Sequence, residues 1–439
     1  MAELVEATSL RDEAVALLQA LIRLDTVNPP GNETKAAELL RGYLEPLGIE
    51  CRLYARTPER ANLIARLKGR GDGPRLLLLS HTDTVLADPG EWQVDPWSGE
   101  LRDGHVWGRG ALDMKGQVAA SAVAIASLAR EGFRPRGDLL FAACADEEVG
   151  DPNENFGLSW LCEEHPEAVE TEYSINEGAG DRLVINNRPV YLCATAEKRS
   201  AGLKLIVHGR SGHASMPGIA DNALVNAAPY IERIGAWKPP RAHTPETEGF
   251  LRAVLGDVPP PDEALARARD VSLFAAETIE PVLSPTLSPT MIGASRQRNV
   301  IPGRCVVTID CRLPPGQTGA DVEPELRHVL GPGHYDLEWE DAYGGTRSPA
   351  ASPLWDAFAE FIAEAEPGAV VAPYCGPGFT DSHYLRERFG TVAYGFFPLR
   401  AMDAELAATL PHSADERIDV GDLELGARCL RHAAEAIGA

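Results

Sequence analysis

Basic residues are in short supply: 41 Lys and Arg stand against 65 Asp and Glu in 439 residues, a formal charge of −24. A surface of that sign repels phosphate backbones and anionic lipid, which argues against nucleic acid as a partner. Long apolar runs are missing as well. The longest nearly apolar stretch, Val118 to Ala129, has 12 residues, where a bilayer span takes about 20, so no membrane segment is expected. No CxxC pair occurs among the eight cysteines. That removes zinc-knuckle and redox-motif readings and leaves small buried thiols in a reducing compartment. The opening stretch MAELVEATSLRDEA carries acid where a secretory signal would be basic and then apolar, so a cytoplasmic location is expected. Repeats and low-complexity tracts are also lacking.

What is present is an ordinary globular composition, 44% hydrophobic and 24% charged, in a chain long enough for two or three domains. Leu10, Ala14, Leu17, Leu18, Leu21 and Ile22 recur at helical spacing behind Ser9, a capping residue. A second helix over 33–47, β-rich runs at 51–55 and 62–67, and an LLLL strand over 75–80 follow. The LLLL run is what a strand buried on both faces looks like. Helices over 114–130 and 156–164 alternate with strands over 138–145 and 172–176, which reads as α/β. From about Lys198 the order becomes β-α-β-β-α-β, with strands at 202–208, 290–296, 304–312 and 335–340 and helices at 221–235 and 321–330. A Pro-rich, partly helical insertion over 238–284 interrupts it. The α/β pattern then resumes and closes with a helix over 423–437. The expectation is an α/β domain, with helices on both sheet faces, built from residues 1–197 and 347–439, and an inserted domain over 198–346.

Candidate chemistry lies where strands end, which is where ligand sites of open α/β sheets form. His81 and Asp83 follow the LLLL strand; alone, they are a histidine and a loop acid. Asp113 precedes a helix and in isolation reads as its cap. Asp146, Glu147 and Glu148 follow another strand and repel one another unless a cation or solvent offsets them. Glu177 ends a fourth strand, and His412 precedes the closing helix. Two imidazoles and three carboxylates, His81, Asp113, Glu148, Glu177 and His412, form an N/O set that suits zinc at two adjacent sites. His213 by itself is a loop histidine, and Arg312 by itself pairs with an acid such as Asp310.

The ordered motifs SHTDTV, GRGALDMKG, ADEEVG, INEG, GRSGHASMP, NVIPG, DCRLPPG, GFTDSH and HSADE span nearly the whole chain. In that order the sequence resembles the dizinc amidohydrolase and exopeptidase family of aminoacylases, glutamate carboxypeptidase, acetylornithine deacetylase and succinyl-diaminopimelate desuccinylase. The resemblance implies a zinc-binding α/β domain with an inserted lid that pairs two chains into a homodimer. It implies two zinc ions, with cobalt or manganese as substitutes. Asp113 would bridge them, His81 and Glu177 completing one site and Glu148 and His412 the other. It also implies Glu147 as general base and Asp83 as the residue orienting His81. His213 would stabilise the oxyanion, Asn299 and Arg312 would hold a free substrate carboxylate, and Gly378, Thr380 and Asp381 would line the substrate. His383 has no counterpart in the pattern. Glu177 stands where several members carry Asp, and Arg199 where many carry Gly. The implied reaction is hydrolysis of an amide in a short peptide or N-acyl amino acid by a metal-activated water. A biosynthetic deacylase is the alternative within that chemistry, and a catalytically silent binding relative is the alternative outside it.

Overall fold

The computed structural model describes residues 9–149 and 155–439. The first eight residues of the acidic opening and Gly150 of ADEEVG lie outside the described residues. The chain divides into two compact units. One comprises Met1–Thr195, Ser348–Tyr374 and Thr380–Ala439; the other comprises Ala196–Arg347 and the short segment Cys375–Phe379.

The first unit is α/β and is centred on a nine-stranded mixed sheet. Its spatial order is Glu50–Ala55, Ala61–Leu67, Leu139–Cys144, Leu76–His81, Tyr173–Asn176, Val392–Gly395, Arg188–Glu197 and Val370–Gly376, with Arg182–Ile185 paired to Arg188–Glu197. The four strands from Leu139–Cys144 to Val392–Gly395 are mutually parallel. Every residue of Leu76–His81 is buried, and successive side chains go to opposite faces. Leu76 and Leu78 join the core formed with helices Leu10–Ile22, Lys115–Arg130 and Val420–Gly438. Leu77 and Leu79 pack with Leu158, Leu161 and Val169 on the other face. Two covered faces are why this strand needs an unbroken apolar run. Helix Lys115–Arg130, rich in Ala and Ser, buries every residue up to Leu128. Because the central strands are parallel, their carboxyl ends share one edge, and that edge carries His81, the 145–148 turn and Glu177.

Two features escape the sequence patterns. Arg182–Ile185 and Arg188–Glu197 form a hairpin through Asn186 and Asn187, both at positive φ. An Asn-Asn pair is a turn signal, but the PVYLCATAE run after it reads as continuous apolar sequence with no alternation. The other is a small antiparallel sheet of Glu100–Arg102, His105–Trp107 and Arg417–Asp419. It fastens the segment after His412 to the stretch leading into GRGALD.

The second unit contains a four-stranded antiparallel sheet in the order Thr286–Gly293, Arg304–Leu313, Arg199–His208 and Tyr335–Gly344. Helices Ala223–Ala236 and Gly319–Leu330 cover one face. Leu203, Leu205, Val207, Val307 and Ile309 meet Ala227, Ile234, Leu326 and Leu330 there. The chain order is the expected β-α-β-β-α-β, but the second strand begins at Thr286 and ends at Gly293, earlier than the pattern suggests. Pro289 sits inside it. Proline is tolerated on an edge strand, and the register shifts between Pro289 and Met291. The insertion holds helices Pro245–Leu255, Pro261–Val271 and Leu273–Ile279. Buried Lys198 anchors its end, with Nζ donating to the carbonyls of Pro281 at 2.6 Å and Ser284 at 3.0 Å.

Candidate metal centre

His81 is the last residue of its strand, and its side chain is almost fully buried. Its Nδ1 lies 3.1 Å from the carbonyl oxygen of Asp83 and 3.4 Å from that residue's Oδ1. Its Nε2 faces Asp113 Oδ1 at 3.3 Å and Glu177 Oε1 at 3.6 Å. Asp113 does not cap the helix that follows: the cap position is Met114, with no side-chain hydrogen bond. Its carboxylate instead spans two imidazoles, with Oδ2 3.3 Å from His412 Nε2. His412, at a positive φ of 60°, also meets Glu148 Oε2 at 3.0 Å.

Each end of the Asp113 carboxylate therefore has one imidazole, and each imidazole has one further acid. Two donors each about 2.0–2.1 Å from a tetrahedral ion lie about 3.3–3.4 Å apart, which is the spacing seen here. His81 Nε2 and Glu148 Oε1 are both buried without a hydrogen-bond partner. An orphaned polar pair of this kind fits a cation. Ligand atoms of His81, Asp113 and Glu148 lie within 4.8 Å of one another, as do those of His81, Glu147 and Glu177.

The electrostatics tell the same story. Burial opposes charge on His81, but Glu177, Asp113 and Asp83 outweigh it and hold its pKa well above the ordinary value. Hydrogen bonds to Asp113 and Glu148 push His412 up to about 10. Burial, followed by the negative charge of Glu177, drives Glu147 well above the carboxylate range, and burial also raises Glu148 and Glu177. Asp113, flanked by both imidazoles, stays low despite its burial. Protons on the imidazoles thus stand in for the positive charge that this acid cluster demands.

Asp83 has a second task. Its Oδ1 accepts from the backbone N–H of Glu147 at 3.2 Å, and its Oδ2 accepts from that of Glu148 at 3.1 Å and from Asn28 Nδ2 at 3.0 Å. The preceding residue, Asp146, is left-handed at φ 64° and accepts from Asn28 Nδ2 and Arg60 Nη2, both at 2.9 Å. Arg60 is itself held by Glu33, at 2.6 and 2.8 Å. A buried ion network therefore supports the turn that aims Glu147 and Glu148.

Glu416 does the same for Asp113. Fully buried, it accepts from Arg109 Nη1 at 2.7 Å and from the backbone N–H groups of Gly110, Leu112 and Asp113 at 3.0, 2.7 and 2.9 Å. Burial pushes its carboxyl up to about 7. Sequence reasoning assigned no task to Glu416, Arg60, Asn28 or Glu33. Glu416 at least stands inside HSADE, whereas Arg60 carries no motif. Glu416→Ala is expected to destabilise the fold by about 3–5 kcal/mol, because Arg109 is left as a buried unpaired charge. Denaturant unfolding of the metal-free protein measures this.

The remaining nominated residues are placed as follows. Thr380 and buried Asp381 lead into helix Ser382–Phe389 of the first unit, where the Thr380 carbonyl accepts from His383 N–H at 3.2 Å. Burial pushes Asp381 up to about 8. Gly378 falls in the segment grouped with the second unit. In that unit His213 is exposed, on the two-residue strand Gly212–His213 paired with Val300–Ile301, and its Nδ1 meets Ser215 Oγ at 2.7 Å. Asn299 is adjacent, its carbonyl accepting from Ala214 N–H at 3.0 Å. Arg312 forms a two-point pair with Asp310, Nε to Oδ1 at 2.9 Å and Nη2 to Oδ2 at 3.0 Å.

A mixed-sheet α/β unit with a histidine–carboxylate centre at its strand ends defines a metal-dependent hydrolase. The sequence signature of peptidase family M20/M25/M40 matches residues 77–436, and the chain belongs to that family. A succinyl-diaminopimelate desuccinylase of Methylobacterium sp. (strain 4-46) is 29% identical over 440 residues, covering 96% of this chain and 95% of that protein. The N-fatty-acyl-amino acid synthase/hydrolase PM20D1 of Xenopus tropicalis is 26% identical over 367 residues, covering 80% of this chain and 70% of that protein. The solved M20 metallo-carboxypeptidase Sso-CP2 of Sulfolobus solfataricus shares the fold, with a TM-score of 0.71, 19% identity, and coverage of 97% of this chain and 99% of that one. Among the described residues no helix is long and apolar enough to cross a membrane.

Proposed function

We propose that the chain hydrolyses an amide bond in a short peptide or N-acyl amino acid, using two zinc ions held by His81, Asp113, Glu148, Glu177 and His412. The observation that carries this reading is the Asp113 carboxylate set between two imidazoles, at 3.3 Å from each. The N/O donor set suits zinc and also admits cobalt or manganese. Ions bound there would supply Lewis acidity, acidifying a water and polarising the scissile carbonyl. Glu147 takes the proton of the attacking water and passes it to the departing nitrogen. Asp83 holds His81 from the Nδ1 side and pins the backbone of Glu147 and Glu148.

In this reading the second unit acts as a lid. His213 donates to the developing oxyanion, while Arg312 and Asn299 hold the substrate's free carboxylate. Arg312 is kept extended by Asp310 until that anion arrives. Gly378 and Thr380 run along the substrate. The lid is also the proposed homodimer face: on the edge strand Thr286–Gly293, Met291 and Ile292 are 70% and 51% exposed, and on helix Ala223–Ala236 Leu224 and Val225 are 42% and 64% exposed. Apolar side chains grouped along an open sheet edge favour burial against another chain.

The alternative is a biosynthetic deacylase, which the relation to the desuccinylase supports. Zinc-loaded protein assayed against dipeptides, N-acyl amino acids, acetylornithine and succinyl-diaminopimelate tests both readings, and turnover of none of them would sink both. Arg312→Ala is expected to lower kcat/KM by about 10-fold to 150-fold on substrates with a free carboxylate, the loss of one charge-assisted pair. The same variant should barely change turnover of the corresponding C-terminal amides. Equal cleavage of acid and amide by the unmutated enzyme would count against the clamp.

A further inference from the structure

Beside the metal centre, within the first unit, is a cavity of about 240 Å³ that the chemistry described so far leaves unused. Two of its wall residues, Asp113 and Glu177, are the candidate ligands just described. Leu112, Phe397, Leu399 and Pro411 make it largely apolar. Two polar side chains also line it, and neither is satisfied. Gln117, on the first turn of helix Lys115–Arg130, is 3% exposed, and its Nε2 has no hydrogen-bond partner. Asp181, on the loop after Glu177, has no cation or side-chain donor against its carboxylate among the described residues; only its own backbone N–H answers it. Burial pushes Asp181 up to about 6, which is the behaviour of a carboxylate without a counter-charge.

An unpaired carboxylate and an unpaired amide in an otherwise apolar pocket are an incomplete recognition set. The charge selects its complement. Asp181, with Asp113 and Glu177 in the same wall, repels an anionic group and leaves a fatty chain facing a buried charge. A primary ammonium carries three donors. It can give one to Asp181 and one to the Gln117 amide oxygen, since the orientation of that amide is a matter of which partner it meets. Because Asp113 and Glu177 belong to both the cavity and the centre, a group seated in the cavity is only a few bonds from a carbonyl held at the centre. The α-amine of an aminoacyl unit satisfies that spacing.

We propose that this cavity binds the primary ammonium of the substrate's acyl half, so that the enzyme cleaves free-amine, dipeptide-like amides in preference to succinyl or fatty-acyl amides. This rests on the amide-hydrolase reading above and decides between its substrate classes.

L-alanyl-L-alanine and N-propionyl-L-alanine differ only by that amine, and both keep the free carboxylate. With zinc-loaded enzyme, kcat/KM is expected to favour alanyl-alanine by about tenfold or more, the effect of one hydrogen-bonded charge pair. In Asp181→Asn the ratio should fall to within about threefold of one, mostly through KM, with zinc content retained. Gln117→Leu, on a different element, should lower the ratio by about fivefold and keeps the test open if the first variant folds poorly. Calorimetric binding of both compounds to zinc-loaded Glu147→Gln protein reads the same preference without turnover.

Equal handling of the two compounds by the unmutated enzyme, or a ratio unchanged in both variants, overturns the cavity assignment and leaves the hydrolase reading standing. Preferential binding of alanyl-alanine with no cleavage of either compound supports the cavity and overturns the hydrolase reading. Neither binding nor cleavage overturns both.

Discussion

Zinc-loaded Glu147→Gln protein is expected to retain two ions per chain and to lose about 100-fold or more of its turnover, since only a proton acceptor is removed. The geometry makes this a sharp test. Glu147 and Glu148 are neighbours whose N–H groups are both held by Asp83, yet their carboxylates serve different partners. Glu148 meets His412 at 3.0 Å, whereas Glu147 falls within ligand distance of His81 and Glu177. A carboxylate in that place can either coordinate or accept a proton. Gln keeps its shape but cannot accept the proton, and it is a far weaker ligand. If Glu147 were a ligand, the variant would lose metal along with activity; if it is the base, metal stays and turnover falls. Elemental analysis alongside kinetics separates the two. Near-normal turnover at full metal content would remove Glu147 from the chemistry altogether. Glu148→Gln is the control and should weaken metal retention instead.

What could be read from the sequence, and what could not, follows from how far apart the interacting residues lie along the chain. His81, Glu147, Glu148 and Glu177 all follow runs that read as buried strands, and parallel strands carry their carboxyl ends to one edge. Local pattern was therefore enough to nominate them. The supports were invisible because each works only through a distant partner. Arg60 reaches Asp146 across 86 residues, and Glu416 reaches Asp113 across 303. Nothing in the local sequence around Arg60 marks it as buried. The hairpin through Asn186 and Asn187 had its turn signal, but a strand without alternation gave the pattern no period to detect. In the second unit Pro289 hid an edge strand, because proline argues against a strand until the edge position is known.

Asp113→Ala is expected to have the largest effect of any single change, because one carboxylate serves two sites. Its two oxygens lie 3.3 Å from His81 Nε2 and 3.3 Å from His412 Nε2. Removing it takes one ligand from each ion and also the negative charge that lets two cations sit side by side. Both ions should be lost together and turnover should fall to background. His412→Ala, which touches one site only, should leave one ion bound. Thermal unfolding supplies a readout independent of substrate. Saturating zinc at about 100 times its dissociation constant stabilises a folded protein by about 2.7 kcal/mol per site, so the unmutated chain should show a clear zinc-dependent rise in Tm. That rise should shrink in His412→Ala and vanish in Asp113→Ala. The substitution also strands His81, whose Nε2 already lacks a hydrogen-bond partner, so the metal-free variant need not be less stable than its parent: the mutual repulsion of Glu147, Glu148 and Glu177 is eased when one of four neighbouring acids is gone. A variant that kept one tightly bound ion and a zinc-dependent Tm rise would show that Asp113 serves a single site, and the paired-ion reading would have to give way to a mononuclear one.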